Sequence, residues 1–266
     1  MSKIPPARAL NFFKKVLMVT SGKGGVGKSS ISASLAVGLS RKGLQVGLLD
    51  LDLFGPSIPR LMGLEGEAAT TDADGNIVPL KNYGVKSMSI GFLTPKDGLV
   101  AWRGLMVMKA VQQLLWQVKW SEELMDVLVL DMPPGTGDTL ITVCQQLRID
   151  GALVLTTPQR LSLNSAEKGL LLLQKMNVPI IGILENMSWL ECKTCHERIN
   201  LFTSHTQELA EKYRLPLLGQ LPMVPEDAES MDMGIPLTAK QKDVPHFEPI
   251  LQNLVKWIET ETAAAH

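Results

Sequence analysis

The chain has 266 residues, 45% of them hydrophobic and 20% charged, with a formal net charge of −1. That length can bury a large core in one domain, and the near-zero charge makes no general electrostatic case for nucleic acid or an anionic membrane. No apolar run approaches the roughly 18 residues of a bilayer span, and the three cysteines are too few for a disulfide framework, which points to a reducing compartment.

Met1 to Lys15 carries Lys3, Arg8, Lys14 and Lys15 without an acid. It lacks a secretory apolar region, and Pro5-Pro6 prevents a long amphipathic presequence helix. Residues 1–14 are read as an N-terminal extension, from which a transit peptide could have been trimmed. The Ala263–His266 tail is read as a cloning remnant. Between them a single domain is expected, its limits those of the chain, 1–266.

Val16 to Thr20 is short, apolar and rich in β-branched residues, the pattern of a buried strand. Gly22 to Ser29 follows as G-K-G-G-V-G-K-S, which fits the phosphate-loop pattern G-x-x-x-x-G-K-[ST]. Ser30 to Leu39 sets Ile31, Leu35, Val37 and Leu39 among small residues, as a helix against a sheet requires. Strand, glycine loop and helix together are the context of a nucleotide site rather than of a tight turn alone. Glycines let the backbone approach a phosphate and turn its N–H groups inward. The helix N-terminus adds its dipole and free N–H groups. Lys28 is expected to reach the β- and γ-phosphates of ATP, and the Ser29 hydroxyl to hold Mg²⁺. The expected nucleotide contacts are Gly22, Gly24, Gly25, Val26, Gly27, Lys28, Ser29 and Ser30. Lys23 is a second lysine in a loop that needs one; taken alone it reads equally as a solvated surface residue.

Gln45 to Asp50 reads as the second strand and ends on a carboxylate, and Ser57 is expected to cap a short helix reaching Met62. Asp72 to Asn76 predicts a hairpin turn between short strands, and Lys86 to Phe92 a further strand. Trp102 to Trp120 has helical periodicity along Leu105, Met108, Val111, Leu114, Leu115 and Val118. Strands are expected at Met125–Asp131, Gly151–Thr156, Ile180–Leu184 and Pro216–Leu221, with helices at Ala166–Met176 and Pro245–Thr260. The alternation specifies an α/β fold: one doubly wound, mostly parallel sheet flanked by helices. In such a sheet ligands sit at the carboxyl ends of the strands. Gly22, Asp50, Asp131, Thr156 and Asn186 fall at those ends and should converge on one site.

Asp131 opens D-M-P-P-G-T-G-D, a carboxylate closing an apolar strand, suited to positioning Mg²⁺ directly or through water. The loop after it is stiffened by Pro133 and Pro134 and hinged at Gly135 and Gly137, as a γ-phosphate sensor would be. Asp52 is the expected carboxylate for orienting the attacking water, with Asp50 nearer the metal. Cys192-Lys193-Thr194-Cys195 supplies two thiols where zinc and iron–sulfur sites usually need four. Cys144, in a helical stretch over Ile141–Leu147, reads as a buried structural cysteine and His196 as a solvated loop residue. The pair is therefore a redox dithiol, a labile half-site, or half of a site that a second subunit completes.

These motifs carry a resemblance. G-K-G-G-V-G-K-S, D-L-D-L-F-G-P-S-I-P-R, M-S-I-G-F-L, D-M-P-P-G-T-G-D, T-T-P-Q, E-N-M-S and C-x-x-C stand in the order seen in the Mrp/ApbC family of P-loop ATPases, from Val16 to about Pro236. The loop is similar to the deviant K-G-G-x-G-K-[ST] form of proteins resembling MinD, ParA and the nitrogenase iron protein. Trp102-Arg103-Gly104 with Val107 to Ala110 looks most like the bacterial Mrp and mitochondrial branch, whose mitochondrial member assists complex I assembly. The resemblance implies a homodimer holding a [4Fe–4S] cluster between subunits, with Cys192 and Cys195 of each chain as ligands, and passing it to apo iron–sulfur proteins. It implies further that Lys23 reaches the partner's nucleotide, that Asn186 contacts adenine, and that the setting is the mitochondrial matrix or a bacterial cytoplasm. Two departures stand out: Lys193 and Leu105 where the family usually has proline. The competing expectations are a positioning ATPase acting through membrane or DNA, and a zinc-stabilised nucleotide-binding scaffold. The first would want a basic amphipathic C-terminal helix, whereas Glu248, Glu259 and Glu261 accompany a single lysine, Lys256, in the tail.

Overall fold

Apolar runs that alternate with amphipathic stretches build one layered sheet. The computed structural model describes residues 7–93, 104–192, 194–195, 197–240 and 244–260. The chain begins with β1 (Phe13–Ser21), α1 (Lys28–Arg41), β2 (Val46–Asp50), α2 (Ile58–Leu61), β3 (Thr70–Thr71), β4 (Ile77–Val78) and β5 (Leu80–Asn82). It continues through β6 (Val85–Ser89), α3 (Gly104–Trp116), β7 (Met125–Asp131), α4 (Asp138–Gln146), β8 (Gly151–Thr156), α5 (Arg160–Lys175) and β9 (Ile180–Glu185). It ends with β10 (Leu190–Glu191), β11 (Arg198–Ile199), α6 (Thr206–Tyr213), β12 (Leu217–Gln220), α7 (Pro225–Asp232), α8 (Leu237–Lys240) and α9 (Glu248–Glu259).

The main sheet runs β12-β9-β8-β1-β7-β2-β6-β5, parallel except where β5 pairs antiparallel at the edge. Strands β2 and β8 are buried along their whole length, which is why they read as continuous apolar runs rather than alternating ones. The period of two still decides which face each side chain serves. Met18, Leu49, Leu128 and Leu130 meet Val111, Leu114, Leu140 and Leu170 of the helices on one face. Leu17, Leu48, Val127 and Val129 meet Ile31, Leu35, Leu39, Ile250 and Leu254 on the other. Each such side chain, fully buried, contributes about 1.5–3 kcal/mol. A sheet with an apolar core on both faces is the doubly wound, mostly parallel architecture expected.

Several expected boundaries move, each for a local reason. The strand expected over Lys86–Phe92 stops at Ser89, whose Oγ accepts from the Gly91 N–H and turns the chain into a 3₁₀ turn over Ile90–Phe92. Helix α3 ends at Trp116 rather than Trp120, because Gln117 and Lys119 pair through their backbones with Ile77. Helix α5 begins at Arg160, not Ala166: Leu163 extends the buried stripe of Ala166, Leu170 and Leu173 by a turn. Ser57 precedes α2, but its hydroxyl is buried without a partner among the described residues, and the Ile58 N–H donates to Asp50 Oδ2 instead. Helices α6, α7 and α8, strand β5 and the β10–β11 hairpin are additions that the apolar pattern had not signalled. Trp102, Lys193, His196 and the Ala263–His266 tail lie outside the described residues.

Candidate nucleotide and thiol site

The loop between β1 and α1 is shaped by glycine where only glycine fits. Gly25 and Gly27 hold φ of 77° and 83°, the left-handed region that L side chains avoid. A Cβ on Gly27 would also lie 2.4 Å from Asn186 Nδ2. Gly27 offers no side chain to cap α1, and the first turn of that helix carries no acid. The free N–H groups and the positive end of the dipole therefore face a loop with exposed Gly24 and Gly25, an arrangement made for a phosphate. Val26 is buried, its carbonyl oxygen accepting from Asn186 Nδ2 at 2.9 Å, and Ser30 lies half-buried in the first turn.

Lys28 folds down onto the sheet. Its Nζ lies 2.7 Å from Asp131 Oδ1 and 3.1 Å from Ser29 Oγ, with Lys28 6% and Asp131 0% exposed. Asp131 Oδ2 is buried and makes no hydrogen bond among the described residues. That unsatisfied acceptor, on a carboxylate whose Lys28 partner also meets the Ser29 hydroxyl, suits Mg²⁺ or a metal-bound water. Asp50 is the register partner of Asp131 on the next strand. It accepts from the N–H groups of Asp52 and Ile58 and from Ser89 Oγ at 3.0, 3.2 and 3.1 Å. Burial, and then the neighbouring Asp131 charge, push the Asp50 carboxyl up to about 7, against the pull of those N–H groups and Lys28.

Asp52 faces outward by comparison. It is half-buried, accepts from the Gly55 N–H at 3.3 Å, and lines a cavity of about 550 Å³ with Phe54, Pro133, Pro134, Gly135 and Asp138. The proline–glycine loop forms the opposite wall, pinned to β1 by Met132 N–H to the Val19 carbonyl and Gly135 N–H to the Ser21 carbonyl. Lys23 turns away from its own loop, donating to Gln159 Oε1 at 3.2 Å. Of the expected strand-end residues, Gly22, Asp50, Asp131 and Asn186 gather around the phosphate loop. Thr156 joins only through its carbonyl, which accepts from the Asn186 N–H, while its hydroxyl contacts Thr157 and Ser162.

Beyond Asn186 the chain enters the thiol hairpin. Met187 holds φ of 56°, then Ser188 and Trp189 pair through their backbones with Leu221 and Met223. Strands β10 and β11 pair antiparallel, and the Cys192 N–H donates to the Glu197 carbonyl at 2.9 Å. Arg198 stacks over the Trp189 ring at 4.3 Å, fastening the hairpin to the body. Cys195 is exposed and Cys192 partly so. The backbone N–H groups of Cys195 and Thr194, with the Cys195 thiol, hold the Cys192 thiol down to about 7. Cys144 is buried on α4, its thiol pushed up to about 12 by that burial. Among the described residues no group of three or more His, Cys, Asp or Glu could hold a metal ion.

Sequence reading missed the neutral residues that steady the charged ones: Ser32 on Asp131, Ser89 on Asp50 and Gln159 on Lys23. Ser32 had a legible signal, standing one helical turn after Lys28 and hence on the same face. Ser89 and Gln159 had none, since only the folded sheet brings them near their partners.

A family model described as ParA, NUBPL iron-transfer P-loop NTPase, matches residues 13–258. The chain is 44% identical over 232 residues to the iron–sulfur cluster carrier protein of Aquifex aeolicus, covering 86% of this chain and 63% of that protein. It therefore spans less than two thirds of the length of that relative. It is 41% identical over 256 residues to the iron–sulfur cluster transfer protein NUBPL of Dictyostelium discoideum, covering 94% and 79% of the two chains. Among solved structures, the nucleotide-binding protein from Archaeoglobus fulgidus in complex with ADP aligns with a TM-score of 0.77 and 35% identity, over 90% of this chain and 93% of that one.

Proposed function

Because this chain belongs to the NUBPL iron-transfer family of P-loop NTPases, we propose that it binds and slowly hydrolyses ATP while carrying an iron–sulfur cluster to apo-proteins. The nucleotide lies on the Gly22–Ser30 loop, with Lys28 on the β- and γ-phosphates and Asn186 against adenine. Mg²⁺ is held by Ser29 and Asp131, and when bound it neutralises charge that develops on the phosphates. Asp52, the carboxylate open to the cleft, orients the attacking water. Lys23, already turned out of its own loop, reaches the nucleotide of a second copy.

The cargo is a [4Fe–4S] cluster bridging two copies, each giving Cys192 and Cys195. The observation that carries this reading is the placement of an accessible two-thiol hairpin shortly after β9, where Asn186, the residue that follows that strand, is bonded to the phosphate loop. Two chains supply the four thiolates that one chain lacks. If the cluster binds the open and closed dimers unequally, nucleotide state biases its release. Clients are apo iron–sulfur proteins, with respiratory complex I subunits among the candidates, in a mitochondrial matrix or bacterial cytoplasm. A positioning ATPase is the weaker reading: the apolar face of α9, Ile250, Leu251, Leu254 and Ile258, is buried in the core and has nothing to offer a bilayer. No described helix is long and apolar enough to cross a membrane.

Iron and sulfide content per dimer, after anaerobic reconstitution with and without ATP, tests the proposal. Wild type should gain iron–sulfur absorbance that Cys192→Ala and Cys195→Ala abolish, and should sediment as a dimer when loaded. Loaded monomer, or absorbance that survives both substitutions, would sink it.

A further inference from the structure

Ser32 is fully buried on α1, where the usual argument for a serine is packing. Its Oγ lies 2.7 Å from Asp131 Oδ1 and 3.0 Å from the Lys28 carbonyl oxygen. A hydroxyl has one proton to give, and the shorter contact to a carboxylate is the stronger acceptor. Lys28 Nζ meets the same Oδ1 at 2.7 Å, while Oδ2 stays buried without a partner among the described residues. One oxygen of Asp131 is thus held twice and the other is free.

That division matters once nucleotide arrives. Lys28 must leave Oδ1 to reach a phosphate, and the residues flanking Asp131 in sequence, Leu130 and Met132, are fully buried apolar side chains. Of the two described donors on Oδ1, only the Ser32 hydroxyl remains to stop the carboxylate turning. We propose that Ser32 is a positioning residue of the Mg–nucleotide site, its hydroxyl fixing Asp131 Oδ1 so that Oδ2 stays free for the metal or a metal-bound water. This rests on the nucleotide reading above. Ser34 supplies the contrast: its Oγ donates to the Ser30 carbonyl and accepts from the Leu237 N–H, which docks α8, and among the described residues it touches no carboxylate.

The test is titration with the fluorescent nucleotide N-methylanthraniloyl-ADP, in Mg²⁺ and in EDTA, on wild type, Ser32→Ala, Ser32→Thr and Ser34→Ala. Ser32→Ala should raise the Mg²⁺ concentration for half-maximal tight binding about 10-fold while affinity in EDTA changes less than about 2-fold, the size of effect that residues orienting a metal ligand have. Ser32→Thr, which keeps the hydroxyl, should restore the Mg²⁺ response. If Ser32→Ala does not fold, Ser32→Cys, similar in shape but a weak donor, takes its place. An unchanged Mg²⁺ midpoint in the alanine or cysteine variant overturns the role, as does an equal shift in Ser34→Ala. Wild type that ignores Mg²⁺ altogether would instead remove the Mg–nucleotide reading itself, and this proposal with it.

Discussion

Asn186 donates from Nδ2 to the Val26 carbonyl oxygen at 2.9 Å, so the residue that follows β9 is bonded to the phosphate loop shortly before the chain reaches Cys192. Met187, at φ 56°, turns the chain from that bond into the hairpin. Asn186→Ala leaves the Val26 carbonyl without this donor and should cost about 1–2 kcal/mol of stability, read by urea unfolding. A nucleotide-dependent change in Cys192 alkylation rate, expected in wild type, should be lost in the variant. An identical change in both would show that this bond does not join the two sites.

Lys28 and Asp131 are buried together, so each depends on the other for charge balance. Lys28→Met strands Asp131 beside Asp50 and should destabilise the nucleotide-free protein by about 3–5 kcal/mol. Adding Asp131→Asn should recover most of that loss without recovering nucleotide binding. Unfolding midpoints and ADP titrations of the single and double variants separate the two effects.

Asp50 gives the stability a pH dependence. Its folded-state value of about 7 lies above the ordinary 3.8, so the folded protein holds this proton more tightly than the unfolded chain does. The unfolded state then binds fewer protons between those values, and stability must fall as pH rises through them. Nucleotide-free wild type should lose urea resistance between about pH 4 and 7, with a shallower slope in Asp50→Asn, whose side chain does not titrate. A wild-type slope no steeper than the variant's contradicts the assignment.

Cys192 and Cys144 should separate by reactivity, because the thiolate is the nucleophile. In cluster-free protein, Cys192 should be alkylated by iodoacetamide with a rate midpoint near pH 7, since its thiol is held at about 7. Cys144, pushed up to about 12, should resist until the chain is unfolded. Peptide mass spectrometry across pH distinguishes them, and early labelling of Cys144 would show that α4 opens.

Much of the fold was legible because it rests on local chemistry. The parallel strands β7 and β8 fall where their apolar runs predicted, since burial on both faces demands uninterrupted hydrophobic residues. The phosphate loop was readable for a related reason: glycine at a left-handed position is a requirement of the backbone itself, and a lysine at a helix start, against the dipole, is the mark of an anion to be bound. Short elements such as α7 and the β10–β11 hairpin were not, because tertiary contacts, not periodicity, hold them. Arg198 over Trp189 is the clearest instance.

Sequence alone determined which groups could do the chemistry: two lysines in the loop, carboxylates at strand ends, one pair of thiols. Only the tertiary structure decided how those groups divide the work. Register sets Asp50 beside Asp131, with Lys28 bonded to the second, while the hydroxyls of Ser32 and Ser89, from distant segments, each hold one oxygen of Asp131 and Asp50 respectively. The physical reason is range. Backbone conformation and hydrophobic period are written within a few residues, whereas charge balance and hydrogen-bond partnership depend on atoms that meet only when the sheet assembles.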